Sequence, residues 1–122
     1  MHQHDEEFEW HPLEESSALG IYFLQDHKPA KVKVNGMVLC AVRKGQDLFF
    51  VRNACPHSGG PLSQGWVNEQ GQLVCPLHRF RFELDGPQPG PEGYPLHLFP
   101  WRLTRGTVEV GFKKQKRLWG IF

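Results

Sequence analysis

The sequence predicts an all-β protein, and three observations carry that prediction. Asn35-Gly36 sits between two β-patterned runs, the strongest short hairpin signal a sequence offers. Turn-forming residues recur along the chain at roughly 8–12-residue spacing. No segment of the body carries the apolar period of an amphipathic helix. With 122 residues, 13 of them Gly and 10 Pro, the chain has the length of one domain and favours short strands joined by tight turns.

The elements follow in order. Residues 1–18 form an acidic leader with Phe8 and Trp10 embedded, and partial order is expected there. Ile21-Tyr22-Phe23-Leu24 is a short apolar run. Lys31-Val32-Lys33-Val34 alternates with period two, as a half-buried strand does. Its hairpin partner is Met37 to Val42, across Asn35-Gly36. A second turn at Lys44-Gly45-Gln46-Asp47 leads into Leu48-Phe49-Phe50-Val51 and completes a three-strand meander. Gln70-Gly71 then turns the chain into Leu73-Val74. Phe80, Phe82 and Leu84 alternate as a further strand, closed by Asp85-Gly86. Residues 86–95 are a Gly/Pro-rich loop. Strands over Leu96–Leu103 and Thr107–Phe112, joined at Arg105-Gly106, end the main body at residue 112.

Composition excludes several classes. The three cysteines, at 40, 55 and 75, are odd in number and far apart, unlike a secreted disulfide framework. A reducing, cytoplasmic location is expected. Apolar runs are only a few residues long, so no transmembrane helix is expected, and the acidic start lacks the layout of a signal peptide. Residues 1–27 carry a charge of −7 and residues 28–122 one of +8. This asymmetry reads either as an acidic leader on an ordinary surface or as a field that steers a charged partner. Residues 113–122 read as a basic tail with an apolar end docked on the body. Basic runs this short are common, and no nucleic-acid partner is assigned.

Two segments carry the chemistry: Cys55-Pro56-His57 and Cys75-Pro76-Leu77-His78, separated by 17 residues. Each falls in a loop between strands, and each pairs a soft thiolate with an imidazole. A structural zinc site also takes two Cys and two His, but usually as a Cys pair followed by a His pair. In a Rieske centre two thiolates hold one iron and two imidazoles the other, so one Cys and one His from each loop can reach across both irons. The C-x-H spacing is also awkwardly tight for two ligands on a single tetrahedral ion.

Residues 52–84, with Cys55-Pro56-His57-Ser58-Gly59-Gly60-Pro61-Leu62 and Cys75-Pro76-Leu77-His78-Arg79-Phe80-Arg81-Phe82, resemble the Rieske ferredoxin family. The similarity extends more weakly over about residues 20–112. The resemblance implies an antiparallel β-sandwich or barrel (residues 19–112) with a small cluster-binding subdomain inserted into it. It also implies a Rieske-type 2Fe–2S cluster on Cys55, His57, Cys75 and His78, the histidines binding through Nδ1. Gly59 and Gly60 would admit backbone conformations that bring amides near the bridging sulfides. The loop from Gly86 to Pro91 would cover one face of the cluster. Leu62, Trp66, Phe80 and Phe82 read first as core packing, and Cys40 as a small core residue. His2, His4, His11, His27 and His97 show no ligand spacing.

Two departures matter. High-potential relatives carry an additional Cys in each loop and hydroxyl side chains after the second His. This chain has neither, which implies the low end of the Rieske range, on the order of −150 mV. Arg79 stands where many relatives have Gly, and its charge would raise the potential somewhat or serve in docking. Neither a Rossmann glycine fingerprint nor a 2-His-1-carboxylate site is present, and 44 residues beyond His78 leave no room for a catalytic domain. The expected function is therefore not enzymatic: a monomeric electron carrier between a reductase and an oxygenase-like acceptor. The alternatives are an accessory subunit of a larger oxidoreductase, such as nitrite reductase, and an iron–sulfur redox sensor.

Overall fold

The computed structural model describes residues 7–114; the tail reading for 115–122 and the first six residues of the leader lie outside them. Nine strands follow in chain order: β1 (Phe8–Pro12), β2 (Ala30–Val34), β3 (Met37–Lys44), β4 (Asp47–Arg52), β5 (Trp66–Val67), β6 (Leu73–Val74), β7 (Arg81–Phe82), β8 (Trp101–Thr104) and β9 (Thr107–Lys113). They form three antiparallel three-stranded sheets, ordered β1-β9-β8, β2-β3-β4 and β5-β6-β7. Three short 3-10 turns complete the described structure, one of them over Gly20–Phe23 where the sequence shows its first apolar run.

The β2-β3-β4 sheet is the middle of the molecule, and the sequence of β3 says why. Residues 37–42 are a continuous apolar run instead of an alternation, the mark of a strand buried on both faces. Leu39 and Ala41 enter a core with Leu48, Phe50, Phe99, Val108 and Val110, against the β1-β9-β8 sheet. Cys40 and Val42 point the other way, into a second core with Val51, Leu62, Leu73, Phe82 and Leu84, beneath the small β5-β6-β7 sheet. Burying a side chain such as Phe50 or Phe82, both fully enclosed, contributes about 1.5–3 kcal/mol. The small sheet is thus held by one face of the middle one. The second motif loop joins its strands β6 and β7, and the first runs into β5 from β4 of the middle sheet.

The turns obey their chemistry. Asn35 and Gly36 adopt φ of 54° and 72°, the two positive values that a type I′ hairpin turn requires. Arg105 and Gly106 repeat this at 54° and 80° between β8 and β9.

Three expectations are corrected. Residues 8–12, read as part of a partly ordered leader, are a strand paired along its whole length with β9, from Phe8 opposite Lys113 to Pro12 opposite Glu109. The strand expected over Leu96–Leu103 begins only at Trp101, because Pro95 and Pro100 lack the N–H a ladder needs; Phe99 makes an isolated bridge to Phe50. The strand expected over Phe80–Leu84 is reduced to Arg81–Phe82, since the Gly/Pro loop folds back over it.

Candidate metal centre

The two motif loops share one backbone frame. In the first, Cys55 N–H donates to the Gly60 carbonyl (2.8 Å) and Gly59 N–H donates to the Cys55 carbonyl (2.8 Å). In the second, Cys75 N–H donates to the Phe80 carbonyl (2.9 Å) and Arg79 N–H to the Cys75 carbonyl (3.0 Å). The fourth residue after each Cys must then turn left-handed. Gly59 does so at φ 78° and Arg79 at φ 59°. Arg79 therefore departs from glycine at the one position of its loop where glycine is favoured.

Close approaches lock the loops in place. A Cβ on Gly65 would lie 1.9 Å from the Val74 carbonyl oxygen, so only glycine lets the chain entering β5 pass β6. A Cβ on Gly60 would lie 2.7 Å from the Leu77 side chain, which rests on the first loop from the second. Ser63 N–H donates to Asn53 Oδ1 (2.7 Å) and ties the first loop across its base.

Among the described residues no three His, Cys, Asp or Glu side chains gather as a single-ion site would require. The motif residues divide instead into two pairs. Cys55 and Cys75 are buried, at 4% and 0% exposure, whereas His57 and His78 are exposed with ring centroids 5.3 Å apart. Burial pushes the Cys55 thiol up, but hydrogen bonds from Ser58, the His57 backbone and Cys75 together hold it below the ordinary thiol range. Buried soft sulfur on one side and exposed imidazole on the other is a donor set that fits a mixed-ligand iron–sulfur cluster. Cys40 lies in the same core, fully buried, and burial alone pushes its thiol up to about 12, which leaves it inert.

Three residues acquire roles that sequence reading did not assign. The stretch after His78 has no hydroxyl, but Ser58 supplies one from the opposite loop: its Oγ is 3.6 Å from Cys75 Sγ. Because that oxygen accepts from Gly60 N–H (3.3 Å), its own hydrogen is free to point at sulfur. Phe80, expected only as core packing, stacks on His57 at 4.0 Å and 14°. Tyr94, from the Gly/Pro loop, closes on His57 (5.3 Å) and Phe80 (5.6 Å).

That loop is clamped. Glu92 accepts from Arg81 backbone N–H (2.7 Å) and from its guanidinium Nη2 (2.7 Å) and Nε (3.2 Å). The Arg81 hydrogen bonds hold the Glu92 carboxyl below its ordinary range. A Cβ on Gly90 would lie 2.5 Å from the Arg81 carbonyl oxygen, so the loop lies flat on β7. Pro91 itself is exposed, and Tyr94 is the residue through which the loop meets a motif histidine. The Gly59 and Gly60 amides are engaged within their own loop, to the Cys55 carbonyl and the Ser58 hydroxyl.

Fold and site together define a small iron–sulfur protein whose cluster takes both thiolate and imidazole ligands. The model of the Rieske [2Fe-2S] domain family matches residues 9–94, and the chain belongs to that family. The match begins inside the acidic segment, in agreement with the pairing of β1 into the body. The anthranilate 1,2-dioxygenase ferredoxin subunit of Burkholderia cepacia is 33% identical over 104 residues, covering 84% of this chain and 91% of that protein. A chain of the solved complex of reduced oxygenase and oxidized ferredoxin in carbazole 1,9a-dioxygenase aligns at a TM-score of 0.60 and 26% identity, covering 71% of this chain and 91% of that one. The putative NADH-dependent nitrite reductase small subunit of Mycobacterium tuberculosis aligns at a TM-score of 0.71 and 21% identity, covering 88% and 98%, and shares the fold. The cofactor is a Rieske-type 2Fe–2S cluster, and the protein is an electron carrier.

Proposed function

We propose that Cys55 and Cys75 hold one iron of the cluster and His57 and His78 the other, and that the chain carries single electrons from a reductase to an oxygenase-like acceptor. One observation supports this above the rest: two loops of identical hydrogen-bond frame present a buried thiol pair beside an exposed imidazole pair. When bound, the cluster accepts and donates one electron. The protein supplies everything else. Core residues under the small sheet exclude water from the sulfur side, and Ser58 offers the sulfurs a hydrogen bond. The exposed histidines with Phe80 and Tyr94 leave the imidazole side open to a partner. A reductase and an oxygenase as partners are supported by the ferredoxin subunit and by the oxygenase–ferredoxin complex to which the chain is similar.

A cytoplasmic setting belongs to the same reading. All three described cysteines are free, and no described helix is long and apolar enough to cross a membrane. The test is the EPR spectrum of dithionite-reduced protein, with metal analysis of the same sample. Two irons per chain and an average g below the free-electron value are expected, and both are lost in Cys75→Ser. One zinc per chain with a silent spectrum would refute the ligand assignment.

A further inference from the structure

The three loops around the candidate centre are almost free of charge. Residues 53–62 contain no Asp, Glu, Lys or Arg, residues 75–80 contain Arg79 alone, and residues 86–95 contain Glu92 alone. Glu92 is consumed by Arg81 in a bidentate pair at 2.7 Å. The guanidinium of Arg79 is exposed, and among the described residues it has no hydrogen bond or ion pair. Exposed apolar side chains occur on the same loops: Leu77, two residues before Arg79, is 56% exposed, and Tyr94, which meets His57, is 37% exposed. One uncompensated positive charge thus follows His78 directly in the chain, on loops that carry no other unpaired charge.

The backbone makes this placement costly. Arg79 occupies the left-handed position at φ 59° that Gly59 fills in the sister loop at no steric cost. Glycine would satisfy the loop and the hydrogen-bond frame equally well. What glycine would not supply is the guanidinium.

We propose that Arg79 is the docking cation of this face, and that the redox partner meets it with a carboxylate set in an apolar surround. The proposal rests on the reading that the two motif loops hold the cluster. An exposed guanidinium in a dry contact favours a planar, bidentate anion. Because it stands beside one of the two exposed histidines, it also biases which charged species exchange electrons with the centre.

The experiment is stopped-flow oxidation of the reduced, iron-loaded protein by two small oxidants of opposite charge. Hexacyanoferrate(III) and tris(phenanthroline)cobalt(III) each take one electron, becoming the iron(II) and cobalt(II) complexes, with no bond or proton transferred. In Arg79→Gly the rate with the anion is expected to fall about 3–10-fold at low salt and the rate with the cation to rise. Arg79→Lys should restore both. The ratio of the two rates is the readout, because a change in driving force alone moves them together. An unchanged ratio overturns the proposal. Iron-loaded protein with an unchanged ratio rejects this inference alone, whereas wild-type chain that holds no iron rejects the ligand assignment and this inference with it.

Discussion

Ser58 offers the sharpest test of how this site sets its potential. Its hydroxyl lies 3.6 Å from Cys75 Sγ and accepts from Gly60 N–H, which leaves its hydrogen free to donate to a thiolate sulfur there. A hydrogen bond to a charged group contributes about 1.5–3 kcal/mol. Both oxidation states of the cluster would keep the bond, and only its strengthening on reduction affects the potential. Taking a third to a half of the total gives about 1 kcal/mol in favour of the reduced form. For a one-electron couple a tenfold change in equilibrium, about 1.4 kcal/mol, corresponds to about 59 mV. Ser58→Ala is therefore expected to lower the midpoint by about 40 mV, read by EPR-monitored titration or direct voltammetry. Ser58→Thr, which keeps a hydroxyl, should stay near the parent value. A shift below about 10 mV, or any upward shift, would show that the hydroxyl does not act on the sulfurs.

Other consequences follow from the same contacts. Arg79→Gly relieves a left-handed non-glycine residue, at a net gain of about 0.5–1 kcal/mol after the greater freedom of the unfolded glycine is counted; the thermal midpoint of the iron-loaded protein should rise by about 3 °C. Gly65→Ala sets a methyl 1.9 Å from the Val74 carbonyl oxygen, so iron retention should be lost while far-UV circular dichroism reports the two larger sheets intact; full iron content would contradict the packing. Phe82→Ala, at a fully buried site in the second core, should cost about 3–5 kcal/mol in denaturant unfolding. The Glu92 carboxyl has a folded value held below its ordinary 4.5 by Arg81, so its stabilisation is present above about pH 4.5 and lost as the pH falls through the lowered value. Protection of the amides in residues 86–95, taken relative to intrinsic exchange at each pH, should fall in that window for the parent, and a Glu92→Gln variant should show the low protection already at neutral pH.

The elements legible in the sequence were those fixed by local chemistry. Asn35-Gly36 demands two positive φ values and receives them, and within the apolar run the stretch from Leu39 to Val42 is buried on both faces. The cysteine and histidine motifs stood out because residue type, order and flanking prolines coincide. Strands whose support is distant were harder to see. Phe8 and Trp10 alternate with Glu9 and His11, a period-two pattern, but acidity and Pro12 disguise it until β9 supplies the partner. Trp66–Val67 is too short to read at all, and its position depends on Gly65 clearing the Val74 carbonyl.

The site shows the same division. Its cysteine and histidine motifs could be read from spacing, yet Ser58 Oγ lies 3.6 Å from a sulfur 17 residues along the chain, and Tyr94 reaches His57 from a loop far along the chain. Such contacts exist only after the sheets have folded. The position of Arg79 was visible as an oddity, but its meaning required the matching φ of Gly59.

The paired loop frames have a further consequence for speed. Each loop is stapled to itself by two backbone hydrogen bonds, the first between β4 and β5 and the second between β6 and β7, over a filled core. A ligand frame of this kind has little slack, so it holds one geometry through the arrival and departure of an electron. With the motif cysteines and histidines as ligands, the nuclear rearrangement that accompanies each transfer would then fall on the cluster bonds and on solvent at the histidine side. Stiff scaffolding on the sulfur side would thus keep the barrier to each hop low, which is what a protein that must be charged and discharged by different partners in turn requires.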